Sequence, residues 1–128
     1  MFLNVPLQCK VVFIGESGAG KTNIINRYTS DTFSSVLAST PGASFTAKTI
    51  LIKDYNNPIK FEIWDTAGEK KYRDLAKVFL KNASAVILVY DITRRDSFEE
   101  LKNYWIKKIK SVASPNSSNY FLLFFIFL

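Results

Sequence analysis

The chain has 128 residues, 48% apolar and 22% charged, with a net charge of +6; this is the profile of a single globular domain, neither disordered, collagen-like nor low-complexity. The one cysteine, Cys9, leaves no internal disulfide, and the lack of any histidine excludes His/Cys zinc sites and triad-type acid–base chemistry. The positive balance supports only weak general attraction to anions: Lys70-Lys71-Arg73 and Lys107-Lys108-Lys110 read as solvated faces, and no recognised motif makes them a nucleic-acid surface.

Residues 1–7 form an N-terminal extension without the basic run and long apolar core of a secretory signal. Residues 9–14 (CKVVFI) are nearly continuously apolar, which predicts a strand buried on both faces. A glycine-rich turn over 15–20 follows, then a helix over 21–28 with Ile24, Ile25 and Tyr28 on one side. Residues 31–42 are Ser/Thr-rich and aperiodic, hence a surface loop. Residues 45–53 and 59–64 flank the turn cluster DYNNP and predict a hairpin whose second strand places Ile59, Phe61 and Ile63 on one face. A polar loop over 65–73 leads to a short helix over 74–81 and a second buried strand over 85–90 (AVILVY). Asp96 with Glu99, and Ser97 with Glu100, have capping-box spacing and open a helix with the apolar stripe Phe98, Leu101, Trp105, Ile109 and Val112. Ser114-Pro115 ends that helix, and the apolar run 120–128 (YFLLFFIFL) has the length of one more strand, far short of the ~20 residues of a membrane-spanning helix. The alternation predicts an α/β domain: three layers around a mostly parallel sheet with one antiparallel edge strand.

Two constellations carry chemistry. Gly15-Glu16-Ser17-Gly18-Ala19-Gly20-Lys21-Thr22 matches G-x-x-x-x-G-K-[ST] between a predicted strand and a predicted helix, the Walker A phosphate loop. Its backbone N–H groups must turn inward to form an anion nest, so the loop needs residues that tolerate positive φ. The helix N-terminus adds unsatisfied donors, Lys21 supplies a cation to the β- and γ-phosphates, and the Thr22 hydroxyl supplies a hard oxygen for Mg²⁺. The second constellation is Asp65-Thr66-Ala67-Gly68. Asp65 ends a strand expected beside the first, which brings its carboxylate toward the metal, and Gly68 can present a bare N–H to a γ-phosphate.

With GESGAGKT (15–22), Asp31-Thr32-Phe33, Thr40, KFEIWDTAG (60–68), Lys71-Tyr72-Arg73 and LVYDIT (88–93) followed by Ser97-Phe98, the sequence resembles the Ras superfamily of small GTPases and, within it, the Rab family, over about residues 8–115. The resemblance implies a P-loop NTPase G domain that binds GTP or GDP with Mg²⁺ and switches partners in vesicle-mediated intracellular protein transport. By the same resemblance Thr22, Thr40 and Asp65 hold the metal, Phe33 packs on the guanine ring, and Gly15, Ser17, Gly18, Ala19, Gly20, Lys21 and Gly68 line the phosphates. Lys21 stabilises phosphate charge and Glu69 stands at the water-positioning place. It further implies exchange factors, GTPase-activating proteins and effectors docking on residues 34–45 and 66–77, and a cytoplasmic protein held peripherally on endomembranes.

The sequence departs from that family in three places. Glu69 replaces the usual glutamine; ionised glutamate only accepts hydrogen bonds and adds negative charge beside an anionic transition state, which predicts slow hydrolysis. Pro41 removes an N–H next to Thr40 and restricts its backbone. No guanine-reading N-K-x-D motif, S-A-K-type loop or terminal prenylation cysteines occur in these 128 residues, so stable lipid anchoring is not encoded here and the resemblance implies weakened base discrimination. Residues 116–128 read as a divergent tail with three readings: a truncated sequence, a short degenerate GTPase-like protein, or an apolar membrane contact. The rival to a GTPase is a non-catalytic partner-binding module that keeps only the phosphate loop.

Overall fold

The computed structural model describes residues 5–37, 39–112 and the backbone of 122–127. Its order is β1 (Leu7–Ile14), α1 (Lys21–Ser30), β2 (Ala43–Ile50), β3 (Ile59–Thr66), a 3₁₀ turn (Lys70–Leu75), α2 (Ala76–Leu80), β4 (Ala85–Asp91), α3 (Arg95–Glu100), a π-helical turn (Leu101–Trp105), α4 (Ile106–Val112) and β5 (Leu122–Phe127). The sheet runs β2-β3-β1-β4-β5. β1 pairs in parallel with β3 and β4, β4 in parallel with β5, and β2 antiparallel with β3. This is the expected α/β sheet with one antiparallel edge.

The period-two alternation of the strands divides the core in two. Val12, Ile14, Val86 and Leu88 face α2, α3 and α4, packing with Leu80, Leu101, Trp105 and Ile109. Val11, Phe13, Ile63 and Val89 face the other way, against Ala19 and Ile25 at the start of α1. β1 lies at the centre with its chain leaving toward α1, while β3 and β4 lie to either side. The crevice beyond its carboxyl end is therefore the topological switch point at which open α/β sheets bind ligands.

Several local expectations shift. β1 begins two residues early, where the Leu7 N–H donates to the Pro58 carbonyl at 2.9 Å. β2 covers Ala43–Ile50 rather than 45–53, because Asp54 adopts φ 69° and turns the chain. The polar loop after β3 contains the 3₁₀ turn, and the α-helix predicted over 74–81 is only Ala76–Leu80. Tyr28 is exposed, its ring covered on one side by Lys48 Nζ at 4.3 Å, rather than core-facing.

Neither capping box forms: no side-chain cap bond closes α3, which starts at Arg95. Ser97 is instead fully buried, its hydroxyl accepting from the Asp91 N–H at 3.0 Å and lying within reach of the Asp91 and Arg94 carbonyls. The π-helical turn has a physical origin in the sequence. Ser97, Leu101, Trp105 and Ile109 are all buried at intervals of four, and on an α-helix a four-residue spacing drifts about 40° per step. The wider π turn at Leu101–Trp105 cancels part of that drift and keeps the stripe on the sheet. The helix end predicted at Ser114-Pro115 lies outside the described residues, as does Tyr120; the backbone of Leu122–Phe127 is the expected last strand.

Candidate functional site

The loop between β1 and α1 is shaped by glycines at close approaches. A Cβ on Gly15 would lie 2.1 Å from the Val89 carbonyl oxygen, so the loop leaves β1 pressed against β4. Gly18 and Gly20 have φ 76° and 101°, the left-handed conformations that let successive N–H groups turn inward. α1 starts immediately afterward, and the Ile24 N–H closes its first turn on the Gly20 carbonyl at 3.0 Å, leaving the N–H groups of Lys21, Thr22 and Asn23 without intrahelical partners.

Lys21 is buried, 6% exposed, and its Nζ donates to the Gly15 and Glu16 carbonyls at 2.8 and 2.7 Å. Burial lowers its pKa to about 8, opposed by the charges of Asp65 and Glu16 and aided by Arg94. Asp65 shows the mirror image. Burial pushes its carboxyl above the ordinary carboxylate range, against the hydrogen bond from Thr22, the Lys21 charge and the bond from Thr40. A lysine and a carboxylate both held against their preferred ionisation by burial, beside one cleft, make this the candidate functional site.

Three oxygen-bearing side chains converge there. The Thr22 hydroxyl donates to Asp65 Oδ2 at 2.5 Å, Thr40 Oγ1 lies 3.0 Å from Thr22 Oγ1, and Thr40 donates to Asp65 Oδ2 at 3.4 Å. Asp65 Oδ1 is buried with no partner. Among the described residues no group of three or more His, Cys, Asp or Glu gathers, so this set of one carboxylate and two hydroxyls suits a cation that takes few protein ligands and completes its shell with phosphate and water. That is the chemistry of Mg²⁺, and the residues fit it.

Thr40 reaches Asp65 because the β2–β3 ladder continues past its last strand pair: the Ala67 N–H donates to the Gly42 carbonyl at 2.8 Å, drawing the loop before β2 over the end of β3. Gly68 then passes directly over the phosphate loop. A Cβ there would lie 2.2 Å from the Ser17 nitrogen and 2.4 Å from the Glu16 carbonyl carbon. Together these elements enclose a cleft of about 340 Å³, lined by Ser17, Gly18, Gly20, Lys21, Thr22, Asn23, Ser34, Ser35, Leu37, Ser39, Thr40, Thr66 and Gly68.

The structure thus lines one cleft with Ser17, Gly18, Gly20, Lys21, Thr22, Thr40 and Gly68; Gly15 and Asp65 stand behind this lining, bonded to Lys21 and to Thr22 and Thr40, and Ala19 is buried in the loop. Two expected residues stand apart. Phe33 is half exposed and is not among the residues lining the cleft, and Glu69 faces Lys71 Nζ at 3.4 Å.

Four contributors escaped the sequence reading. Asn23 clasps the loop after α1 through two bonds, Nδ2 to the Ser34 carbonyl at 2.9 Å and the Ser34 N–H to Oδ1 at 3.1 Å. Arg94 donates to the Ser17 carbonyl at 2.9 Å from the far side of the loop. Arg73 binds the Glu16 carboxylate at 2.6 Å. Phe45, Trp64 and Phe79 form a tilted aromatic row, with centroids 4.9 and 5.1 Å apart, running across β2, β3 and α2. Two had a sequence signal: Phe45 and Trp64 sit on the strands of the predicted hairpin, and Arg73 belongs to the Lys71-Tyr72-Arg73 stretch of the family resemblance.

A parallel-centred sheet with a glycine-built phosphate loop and a cluster of oxygen-bearing side chains at its switch point is the architecture of the P-loop GTPase domain. The Ras family pattern matches residues 10–124, and the chain belongs to that family as a Rab-type member of the Ras superfamily. It is 41% identical over 123 residues to the GTP-binding protein YPT52 of Saccharomyces cerevisiae, a match that covers 91% of this chain. The chain spans 52% of the length of that relative.

Proposed function

We propose that the chain binds GTP and GDP with Mg²⁺ and serves as a slowly hydrolysing switch in vesicle-mediated transport. The observation that carries this reading is the buried Lys21 beside an Asp65 oxygen that has no protein partner, both at the mouth of the glycine-shaped loop. Nucleotide phosphates would receive the Lys21 charge and the free N–H groups at the start of α1. Thr22, Thr40 and Asp65 would hold Mg²⁺, which supplies neutralisation of the phosphate charge.

The Thr40 contact gives the switch its logic. Thr40 belongs to the loop and Thr22 to the rigid helix start, so a ligand that gains from both orders the loop, and its loss releases it. The row Phe45, Trp64 and Phe79, whose Phe45 end is exposed, would offer effectors an apolar contact. Glu69 immediately follows Gly68, and its carboxylate cannot donate a hydrogen bond to the γ-phosphate. Glu69→Gln should raise single-turnover GTP hydrolysis roughly 10-fold or more; an unchanged rate would remove Glu69 from the account of slow turnover. No helix among the described residues is long and apolar enough to cross a membrane.

Thermal melting tests the reading. Saturating GDP with Mg²⁺, at about 100 times its Kd, should stabilise the fold by about 2.7 kcal/mol. A partner-binding module without a working site would melt at the same temperature with and without nucleotide.

A further inference from the structure

Behind the cleft, three separate segments meet at one side chain. An Arg73 terminal nitrogen donates to Glu16 Oε1 at 2.6 Å and to Glu100 Oε2 at 2.8 Å. The guanidinium lies over the Tyr104 ring, 4.4 Å from its centroid, and 5.6 Å from that of Trp105. The Arg73 side chain is 12% exposed, whereas the Arg27–Asp31 pair is 62% and 87% exposed. Ion pairs gain strength as solvent is excluded, so the Arg73 contacts are the ones with mechanical consequence.

Two further features mark the place. Tyr104 and Trp105 belong to the π-helical turn, a geometry held only where packing demands it. Arg73 Nε and Trp105 Nε1 are both buried without a partner, so the packing holds the arginine here despite an unsatisfied donor. Glu16 and Glu100 are joined through Arg73, one on the phosphate loop and the other on α3. The backbone carbonyl of Glu16 is itself an acceptor of the Lys21 ammonium at 2.7 Å. Fixing the Glu16 side chain therefore fixes the peptide that orients the phosphate-binding lysine.

We propose that Arg73 is a positioning residue that couples the segment after β3 to the phosphate loop and to the π-helical turn, so that nucleotide retention depends on contacts remote from the cleft. The inference deepens the nucleotide-binding reading and rests on it. Loss of the arginine leaves two carboxylates facing one partly buried space, which loosens the Glu16 peptide through like-charge repulsion as well as lost bonds.

The test is release of a fluorescent GDP from the full chain in Mg²⁺, chased with unlabelled GDP. Arg73→Ala should speed release ~10-fold, from the loss of charge-assisted hydrogen bonds. Glu100→Gln, which touches no lining residue, should speed it ~3-fold, and should add nothing once Arg73 is already alanine, the non-additivity expected of residues in one network. Should Arg73→Ala not fold, Arg73→Lys carries the same test, because an ammonium keeps the charge but lacks the planar guanidinium that stacks on Tyr104 while bonding two carboxylates. Its release should fall between wild type and the ~10-fold figure. Wild-type retention of GDP with unchanged release in Glu100→Gln and Arg73→Lys, even if their melting temperatures drop, overturns the coupling and leaves the nucleotide reading intact. Additive effects of the two substitutions also overturn it. A wild-type chain that retains no GDP overturns both.

Discussion

The two loops that form the cleft are built on opposite principles. The phosphate loop is braced on every side: Gly15 against β4, Gly68 across its back, Lys21 through two of its carbonyls, and Arg94 on a third. The loop between α1 and β2 hangs from tethers near its ends, the Asn23–Ser34 clasp, the Thr40 hydroxyl and the Gly42–Ala67 bond. Between them Val36 is 87% exposed. A preorganised cradle gives affinity without reorganisation, and a loosely hung loop gives a segment whose order a ligand can control. On the proposed function, this difference would put binding and switching in adjacent but separate parts of one fold.

Breaking the rigid half should have the largest effect. Lys21→Met removes the cradle cation and should weaken GDP binding ~100-fold or more, read by fluorescent-nucleotide titration. The same substitution sharpens the electrostatic account. With its folded-state pKa lowered to about 8 from 10.5, Lys21 binds fewer protons in the folded than in the unfolded chain between those values. Stability of the nucleotide-free, chelated protein should therefore rise from pH 8 to 10.5, by on the order of 3 kcal/mol, and that gain should vanish in Lys21→Met. Urea melts at a series of pH values would show a flat profile for both proteins if the lysine were not strained.

Gly68→Ala comes next. Its Cβ would fall on the Ser17 nitrogen, and relieving that overlap should cost about 3 kcal/mol of stability, measured by chemical denaturation. Breaking the hung loop should be milder. Thr40→Val removes one metal-facing hydroxyl and should lower affinity for GDP and for a non-hydrolysable GTP analogue ~10-fold in Mg²⁺, a loss that should shrink in chelator. Asn23→Ala, which cuts only the distal tether, should change either affinity ~3-fold or less.

How much of this was legible in sequence follows the same division. The phosphate loop is written in eight consecutive residues, because a nest of N–H groups is local backbone chemistry, and every one of its glycines stands where expected. Asp65 and Gly68 were legible because a strand end fixes their place once β1 and β3 pair. Phe33 had only the resemblance to place it; it lies half exposed on the loop after α1, where a side chain takes its position from tertiary contacts that spacing does not encode. Ser97 has the local signature of a cap, yet burial beside Asp91 recruits its hydroxyl for the strand end instead. Arg73 read as one residue of a basic cluster, and only the meeting of three distant segments reveals its partners. The π turn was not legible: the stripe Phe98, Leu101, Trp105, Ile109 and Val112 suits one continuous α-helix, and only the burial of Ser97 exposes the four-residue drift that the turn corrects.

The most direct test of the central claim is calorimetric titration of the purified chain with GDP and ADP, each with Mg²⁺ and again with chelator. The proposed function predicts binding of GDP that weakens sharply when Mg²⁺ is removed, and that Lys21→Met weakens ~100-fold or more. Absence of heat with either nucleotide under both conditions, from a chain shown to be folded, would contradict it.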